Sequence, residues 1–236
     1  MKETLASLWS CLLRPREGFR ALAERRPTVG DALQRLFLLR LPLGLLHAWF
    51  AGKAFLLAWG QFRDPDSDLW RQALARFGDA SSAENLRDVL AALPKPPAWN
   101  HLAPWILLLA PLSLLSLWLH DAAWDHLGLW LLRGLRKEDR VQATLAAEAE
   151  ALRIGTVGVV VALLGLLPGV GLPFQLLALP LGAYLWGLRG VALAAFHGCP
   201  TWKGVVATVL HLLLFGCFTC GLLALTWFVA LGLAAG

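Results

Sequence analysis

Charged side chains are scarce in this sequence. Asp, Glu, Lys and Arg make up 16% of the 236 residues, whereas soluble domains carry about 25%. Residues with hydrophobic side chains make up 58%. So little charge and so much apolar surface is not typical of a soluble domain, and we expect hydrocarbon rather than water around most of the chain.

The sequence also has few cysteines and no export signal. Disulfide frameworks are typical of small exported domains, and this chain of 236 residues with four cysteines is not one, so we expect free thiols. The net charge of +5 is not gathered into a basic stripe, which argues against a nucleic-acid partner. Residues 1–35 lack the apolar core of a signal peptide, so the first span must also direct insertion. A composition rich in Ala, Leu, Gly, Trp and Arg indicates a GC-rich genome and favours a bacterial inner membrane.

Apolar segments predict an all-α, polytopic transmembrane helix bundle with about five spans. Crossing a hydrocarbon core of about 30 Å takes about 20 helical residues. The third segment is short enough that its start could lie in the polar stretch before it. We predict a cytoplasmic amphipathic segment over residues 1–35 and one transmembrane domain over 36–236, with spans over about 36–59, 102–119, 152–167, 174–196 and 205–233.

The distribution of Lys and Arg predicts the orientation of these spans. Basic residues are concentrated in the N-terminal flank and in the connection that holds Arg133, Arg136 and Arg140, whereas residues 168–173 have none. This alternation predicts a cytoplasmic N-terminus and a C-terminus outside the cell. Residues 61–101 then form an outer insert, in which helical spacing of apolar residues predicts two short amphipathic helices.

The N-terminal segment has one apolar helical face and a basic one. Such a segment typically lies in the membrane interface, where anionic lipids attract its arginines. The alternative is packing against the protein's own spans, and both can hold. The residues that we expect at the interface are Leu5, Trp9, Leu12, Arg16, Phe19 and Arg20.

The predicted third and fourth spans are joined by a short segment without charge. Turn-forming residues stand at both of its ends, so we expect a tight helical hairpin. Pro173 suits the first turn of the returning helix, where a missing N–H costs nothing. The hairpin residues are Pro168, Gly169, Gly171 and Pro173.

A polar cluster follows the second span. Asp121 and Asp125 are four residues apart and share a helix face, with His120 and His126 beside them. Such ligands can bind zinc or iron, although a real site would need ligands from another span. The alternative, which we favour, is the polar end of a span that meets water. We therefore expect neither a metal nor a cofactor.

Two histidines lie within predicted spans, where ionisable groups are costly. His47 and His211 could line a polar cavity or carry protons, or each could be a neutral ring bonded to a neighbouring helix. Near His211, the pair Cys217 and Cys220 has redox-motif spacing, but Gly216 and its small neighbours favour close helix packing instead.

Several motifs, in order, resemble those of the bacterial branch of the Ypt-interacting-protein (Yip) domain family. Pro15, Phe19 and Leu22 resemble its "P-x-x-x-F-x-x-L" start. Leu167 to Gly171 resembles its "L-P-x-V-G" hairpin, and Trp186-Gly187-Leu188 through His197 to Lys203 and Ala207 resembles its ending. The match covers nearly the whole chain.

The resemblance implies five spans, a cytoplasmic N-terminus and no catalytic residues. Eukaryotic relatives bind Rab-type GTPases, but the chain lacks their long N-terminal region and their Tyr-Gly motifs, so GTPase binding does not carry over. We expect a non-enzymatic, membrane-organising or partner-binding scaffold whose partners are the bilayer, other membrane proteins or a second copy. The alternatives are a small transporter or channel subunit using His47 and His211, and a metal-dependent membrane enzyme at His120, Asp121, Asp125 and His126.

Overall fold

The computed structural model describes residues 2–77, 85, 88–90, 92–167 and 169–235, and every regular element in these ranges is a helix. The predicted all-α fold class is confirmed. In chain order the helices are α1 (Lys2–Leu13), α2 (Pro15–Glu24), α3 (Val29–Arg63), α4 (Asp68–Phe77), α5 (Trp99–Leu131), α6 (Arg140–Ile154), α7 (Thr156–Gly165), α8 (Gly171–His197) and α9 (Thr201–Ala235).

In the part of the chain that the structure describes, four helices are long and apolar enough to cross a membrane, namely α3, α5, α8 and α9. The shortest of them, α8, has 27 residues, and at about 1.5 Å per residue it exceeds a hydrocarbon core of about 30 Å. Their outer faces are apolar and open, as with Leu176 and Leu179, which are 70% and 84% exposed. Apolar surface on this scale needs lipid around it. The chain is therefore an integral, multi-pass membrane protein.

The expected third span differs from the structure. Residues 152–167 do not form one helix, because α6 ends at Ile154 and α7 has only ten residues. Instead, α6 and α7 follow one another along α8, with Thr144 beside His197 at one end and Gly165 beside Gln175 at the other. A hydropathy argument misses this because α6 carries buried charges.

Helix α8 is central to the unit formed by residues 1–43 and 111–236, where it packs against α2, α6, α7 and α9. Helices α8 and α9 approach most closely at Gly190 and Gly204, where an added side chain would overlap backbone atoms of the facing helix. The close packing that we expected at Gly216 is not seen among the described residues, since that position has open space around it.

Residues 44–110 form a second unit, which holds the predicted outer insert. Its first expected helix is α4, whereas the second falls largely on residues 78–84, 86–87 and 91, outside the described residues. Trp49 and Trp99 meet edge to face at 4.8 Å between ring centroids, and Gly52 leaves room for the Trp99 ring. Arg63 Nε donates to the Leu93 carbonyl at 3.0 Å.

Candidate functional site: a buried ion-pair cluster

The most unusual feature of the first unit is a buried arginine that faces three carboxyl groups. Arg189 lies on α8 and is 5% exposed. Its Nη1 lies 2.9 Å from Asp121 Oδ2, and its Nε lies 2.7 Å from Asp125 Oδ2 and 3.0 Å from Glu148 Oε2. The helical spacing of Asp121 and Asp125 directs both toward α8, as their shared face predicts. The arginine thus ties α5, α6 and α8 together.

Glu148 is the least satisfied member of this cluster. The single hydrogen on Arg189 Nε is directed to Asp125, so it cannot also serve Glu148. Neither Glu148 oxygen has a well-directed hydrogen bond from the described residues, although the side chain is fully buried. Burying a charged carboxylate without such bonds is costly. The site thus has more acidic groups than the arginine alone can balance.

His211, on α9, completes the cluster. Its Nδ1 lies 2.8 Å from Asp125 Oδ1 and also 2.8 Å from Arg189 Nη2. A carboxylate can only accept a hydrogen bond and a guanidinium can only donate one. When Nδ1 carries a proton, it can donate a hydrogen bond to Asp125. When Nδ1 carries none, it can accept a hydrogen bond from Arg189. The hydrogen-bond partner of His211 depends on where one proton lies.

The predicted metal candidates are only partly brought together. Ligand atoms of His120, Asp121 and His211 lie within 4.8 Å of one another, so another span does supply a ligand. However, Arg189 is in contact with both Asp121 and His211. A divalent cation would have to sit beside this buried guanidinium, and repulsion between like charges opposes that. The geometry favours an arginine-centred ion cluster at this position.

His126 lies apart from these ligands, in a hydrogen-bond group around Thr144. The Thr144 hydroxyl lies 2.8 Å from His126 Nδ1 and 3.0 Å from His197 Nε2, and it donates to the Arg140 carbonyl. His197 Nδ1 accepts from the backbone N–H of Arg136, so the neutral ring carries its proton on Nε2. This group fixes the start of α6 against the ends of α5 and α8.

A second buried ion cluster lies on another face of α6. Glu150 Oε1 accepts hydrogen bonds from Arg35 Nε and Nη2 at 3.0 and 2.6 Å, and Glu150 Oε2 accepts one from Arg153 Nε at 2.6 Å. Arg153 Nη2 also reaches Ser7 Oγ at 3.3 Å. Glu150 and Arg153 are both fully buried. The cluster therefore joins α1 and α3 to α6.

The predicted interface residues divide between the two sides of the N-terminal helix pair. Leu12 and Phe19 are buried against the protein, whereas Trp9, Arg16 and Arg20 are exposed. The side chain of Leu5 lies outside the described residues. The Tyr184 hydroxyl donates to the backbone carbonyl of Leu12 and so attaches the end of α1 to α8.

The remaining predicted residues lie elsewhere. His47 is half-buried in the second unit, and it has no hydrogen-bond or ion-pair partner among the described residues. In the hairpin, Gly169 has a φ of +81°, and a side chain at Gly171 would overlap the Gly165 carbonyl. Pro173 lies in the first turn of α8, and Pro168 lies outside the described residues.

The central residues of both ion clusters were not among the predicted site residues. The sequence does contain an indication of such clusters, because a charged side chain within or beside an apolar span is costly unless it is paired with an opposite charge. Glu148, Glu150, Arg153 and Arg189 are among the charged residues that meet that description.

No family model, curated protein or solved structure matches the chain.

Proposed function

We propose that this membrane protein is a non-enzymatic scaffold of the Yip type, which organises the bilayer or holds a membrane partner through α1 and α2. The observation that carries the proposal is the outer face of this helix pair. Trp9 and Leu13, four residues apart, are 59% and 75% exposed. An aromatic and an aliphatic side chain on one exposed face favour insertion among lipid headgroups.

The attachment of the pair to the bundle supports the same role. The opposite face is buried through Cys11, Leu12 and Phe19. Gly18 lies so close to the backbone of Cys11 that no side chain would fit between α1 and α2. A wedge that is packed this closely can transmit force to the bilayer, because its anchor is the helix bundle and not a flexible linker.

Membrane shape provides the test. Purified protein is reconstituted at a fixed protein-to-lipid ratio, and vesicle diameters are measured by electron cryomicroscopy. Trp9→Glu should abolish any difference from protein-free vesicles. Ser10→Glu is the matched control, because it adds the same charge at the next exposed position and should leave the wild-type distribution unchanged. Equal diameters for wild type, Trp9→Glu and empty vesicles would refute membrane shaping.

A second candidate function is proton-coupled transport, favoured by the two mutually exclusive partners of His211. The Nδ1 atom of this buried ring can donate to a carboxylate or accept from a guanidinium, which is an arrangement through which a histidine can relay protons. A pH gradient imposed on proteoliposomes with a trapped dye tests this function. Flux that vanishes in His211→Leu supports transport, and His47→Leu reports whether the other histidine takes part. Flux no faster than in empty vesicles rejects it.

A further inference from the structure

A cavity of about 250 Å³ opens between α1, the α2–α3 connection, α3 and α6. It lies within the first unit and apart from the arginine-centred cluster of α8. Arginines dominate its polar lining, and Ser7 and Asp31 complete it. The four arginines that line it are Arg25, Arg26, Arg35 and Arg153.

Two of these arginines are held rigidly at the base of the cavity. Both Arg35 and Arg153 bond to Glu150, through distances of 2.6–3.0 Å. The bonds of Arg35 use Nε and Nη2, and among the described residues its Nη1 makes no hydrogen bond, so both hydrogens of Nη1 can serve a ligand. A guanidinium whose position is already fixed loses little side-chain entropy when it binds an anion.

The other two arginines form the rim. Arg25 and Arg26 are exposed, and Arg26 has a φ of +46°. A residue other than glycine is strained in this region, and such strain persists only where the surrounding structure imposes it. The turn that it makes before Pro27 brings both side chains to the cavity.

The charge balance favours an anion. Among the described lining residues, four guanidinium groups outnumber one carboxylate, Asp31, and Glu150 lies behind the lining. Asp31 is bound to Thr28, whose hydroxyl donates to it at 2.7 Å. Several arginines around one cavity match the multiple oxygens of phosphate, which accept forked hydrogen bonds.

We infer that this cavity binds a phosphate group, and that the headgroup of an anionic phospholipid supplies it. An apolar surface lies nearby on one flanking helix, because Leu38, one turn along α3 from Arg35, is 71% exposed. Acyl chains could lie along this surface while the phosphate occupies the cavity.

The inference rests on the interfacial position proposed for α1 and α2, but the two fail separately. Vesicle shape and the depth of residue 9 test the position, whereas ligand affinity tests the cavity. Phosphate binding without a change in vesicle shape would support the cavity as a phosphate site and overturn the scaffold role. A change in vesicle shape without phosphate binding would support the scaffold role and overturn the phosphate site.

Affinity is measured on the full-length protein in neutral phosphatidylcholine nanodiscs. One arm adds phosphatidic acid, followed by native mass spectrometry, and the other adds inorganic phosphate, followed by calorimetry. Arg25→Gln/Arg26→Gln should weaken binding by about tenfold or more, since charge-assisted bonds are lost. The control is Arg133→Gln/Lys137→Gln, which removes the same charge from exposed positions between α5 and α6, outside the cavity, and should change affinity by less than about twofold.

The two arms also identify the source of the phosphate. Saturable binding of phosphatidic acid that inorganic phosphate displaces assigns the cavity to a lipid headgroup. Binding of inorganic phosphate alone, with the same dependence on Arg25 and Arg26, assigns it to a soluble phosphate. Equal weakening by both double variants would mean diffuse attraction between charges, and that result, or no binding in either arm, overturns the inference.

Discussion

Removal of the Arg189 side-chain charge should destabilise the protein far more than removal of an exposed ion pair of similar geometry. In Arg189→Met, the carboxyl groups of Asp121, Asp125 and Glu148 lose their shared cation inside the bundle. All four side chains are at most 8% exposed, so water cannot replace the lost charge. Breaking a buried ion pair in this way typically costs about 3–5 kcal/mol.

Arg71→Met is the matched control. Arg71 Nη2 lies 2.6 Å from Asp68 Oδ1, but the two side chains are 68% and 84% exposed. An exposed pair of this kind contributes at most about 1 kcal/mol. Unfolding of both variants is followed by circular dichroism during SDS titration of detergent-solubilised protein.

A second substitution tests the mechanism of the loss. Adding Asp125→Asn to Arg189→Met removes one of the uncompensated carboxylates, so part of the lost stability should return. A difference of less than about 1 kcal/mol between Arg189→Met and Arg71→Met would contradict a stabilising role for the buried cation, since the two expected costs are further apart than this. A further loss of stability on adding Asp125→Asn would contradict it as well.

Three further predictions concern packing, hydrogen bonding and thiol reactivity. Gly204→Ala should cost about 1–3 kcal/mol in the same titration, because its methyl group meets the backbone of the facing helix, whereas Gly187→Ala, with open space around it, should be neutral. Thr144→Val should cost about 1–3 kcal/mol by leaving Nε2 of the buried His197 and Nδ1 of the half-buried His126 without a partner. Thr219→Val, which removes an exposed hydrogen bond to the Phe215 carbonyl of the same helix, should cost at most about 0.5 kcal/mol. Burial raises the pKa of the Cys11 thiol to about 11, so its thiolate at pH 8 is about 100-fold rarer than that of an ordinary thiol. Alkylation of Cys11, followed by mass spectrometry, should therefore be slow until SDS unfolds the protein. Equal alkylation rates before and after unfolding would contradict this prediction.

Local sequence patterns predict the helices well. Apolar runs identify α3, α5, α8 and α9, because a segment that spans the bilayer must be apolar along its length. Pro15 marks the break between α1 and α2, since proline starts a helix more easily than it continues one. These features depend on neighbours in the chain and are therefore visible in the sequence.

The ion clusters were not predicted because they depend on contacts between distant residues. Arg189 is 64 residues from Asp125, and Arg35 is 115 residues from Glu150. The polar composition of α6 suggested a connection between spans, yet its buried carboxylates have partners on α3 and α8. The sequence therefore identifies the metal candidates and the histidines. It does not predict that Asp125 contacts His211, or that His126 lies apart from both residues.

The depth of residue 9 in the bilayer tests the account most directly. A spin label is attached at position 9 or position 20 of an otherwise cysteine-free protein in proteoliposomes, and its collisions with oxygen and with a water-soluble nickel chelate are compared. We predict that the label at position 9 is reached mainly by oxygen, within the lipid interface, and that the label at position 20 is reached mainly by nickel. Equal access of nickel to both positions would contradict the interfacial helix pair.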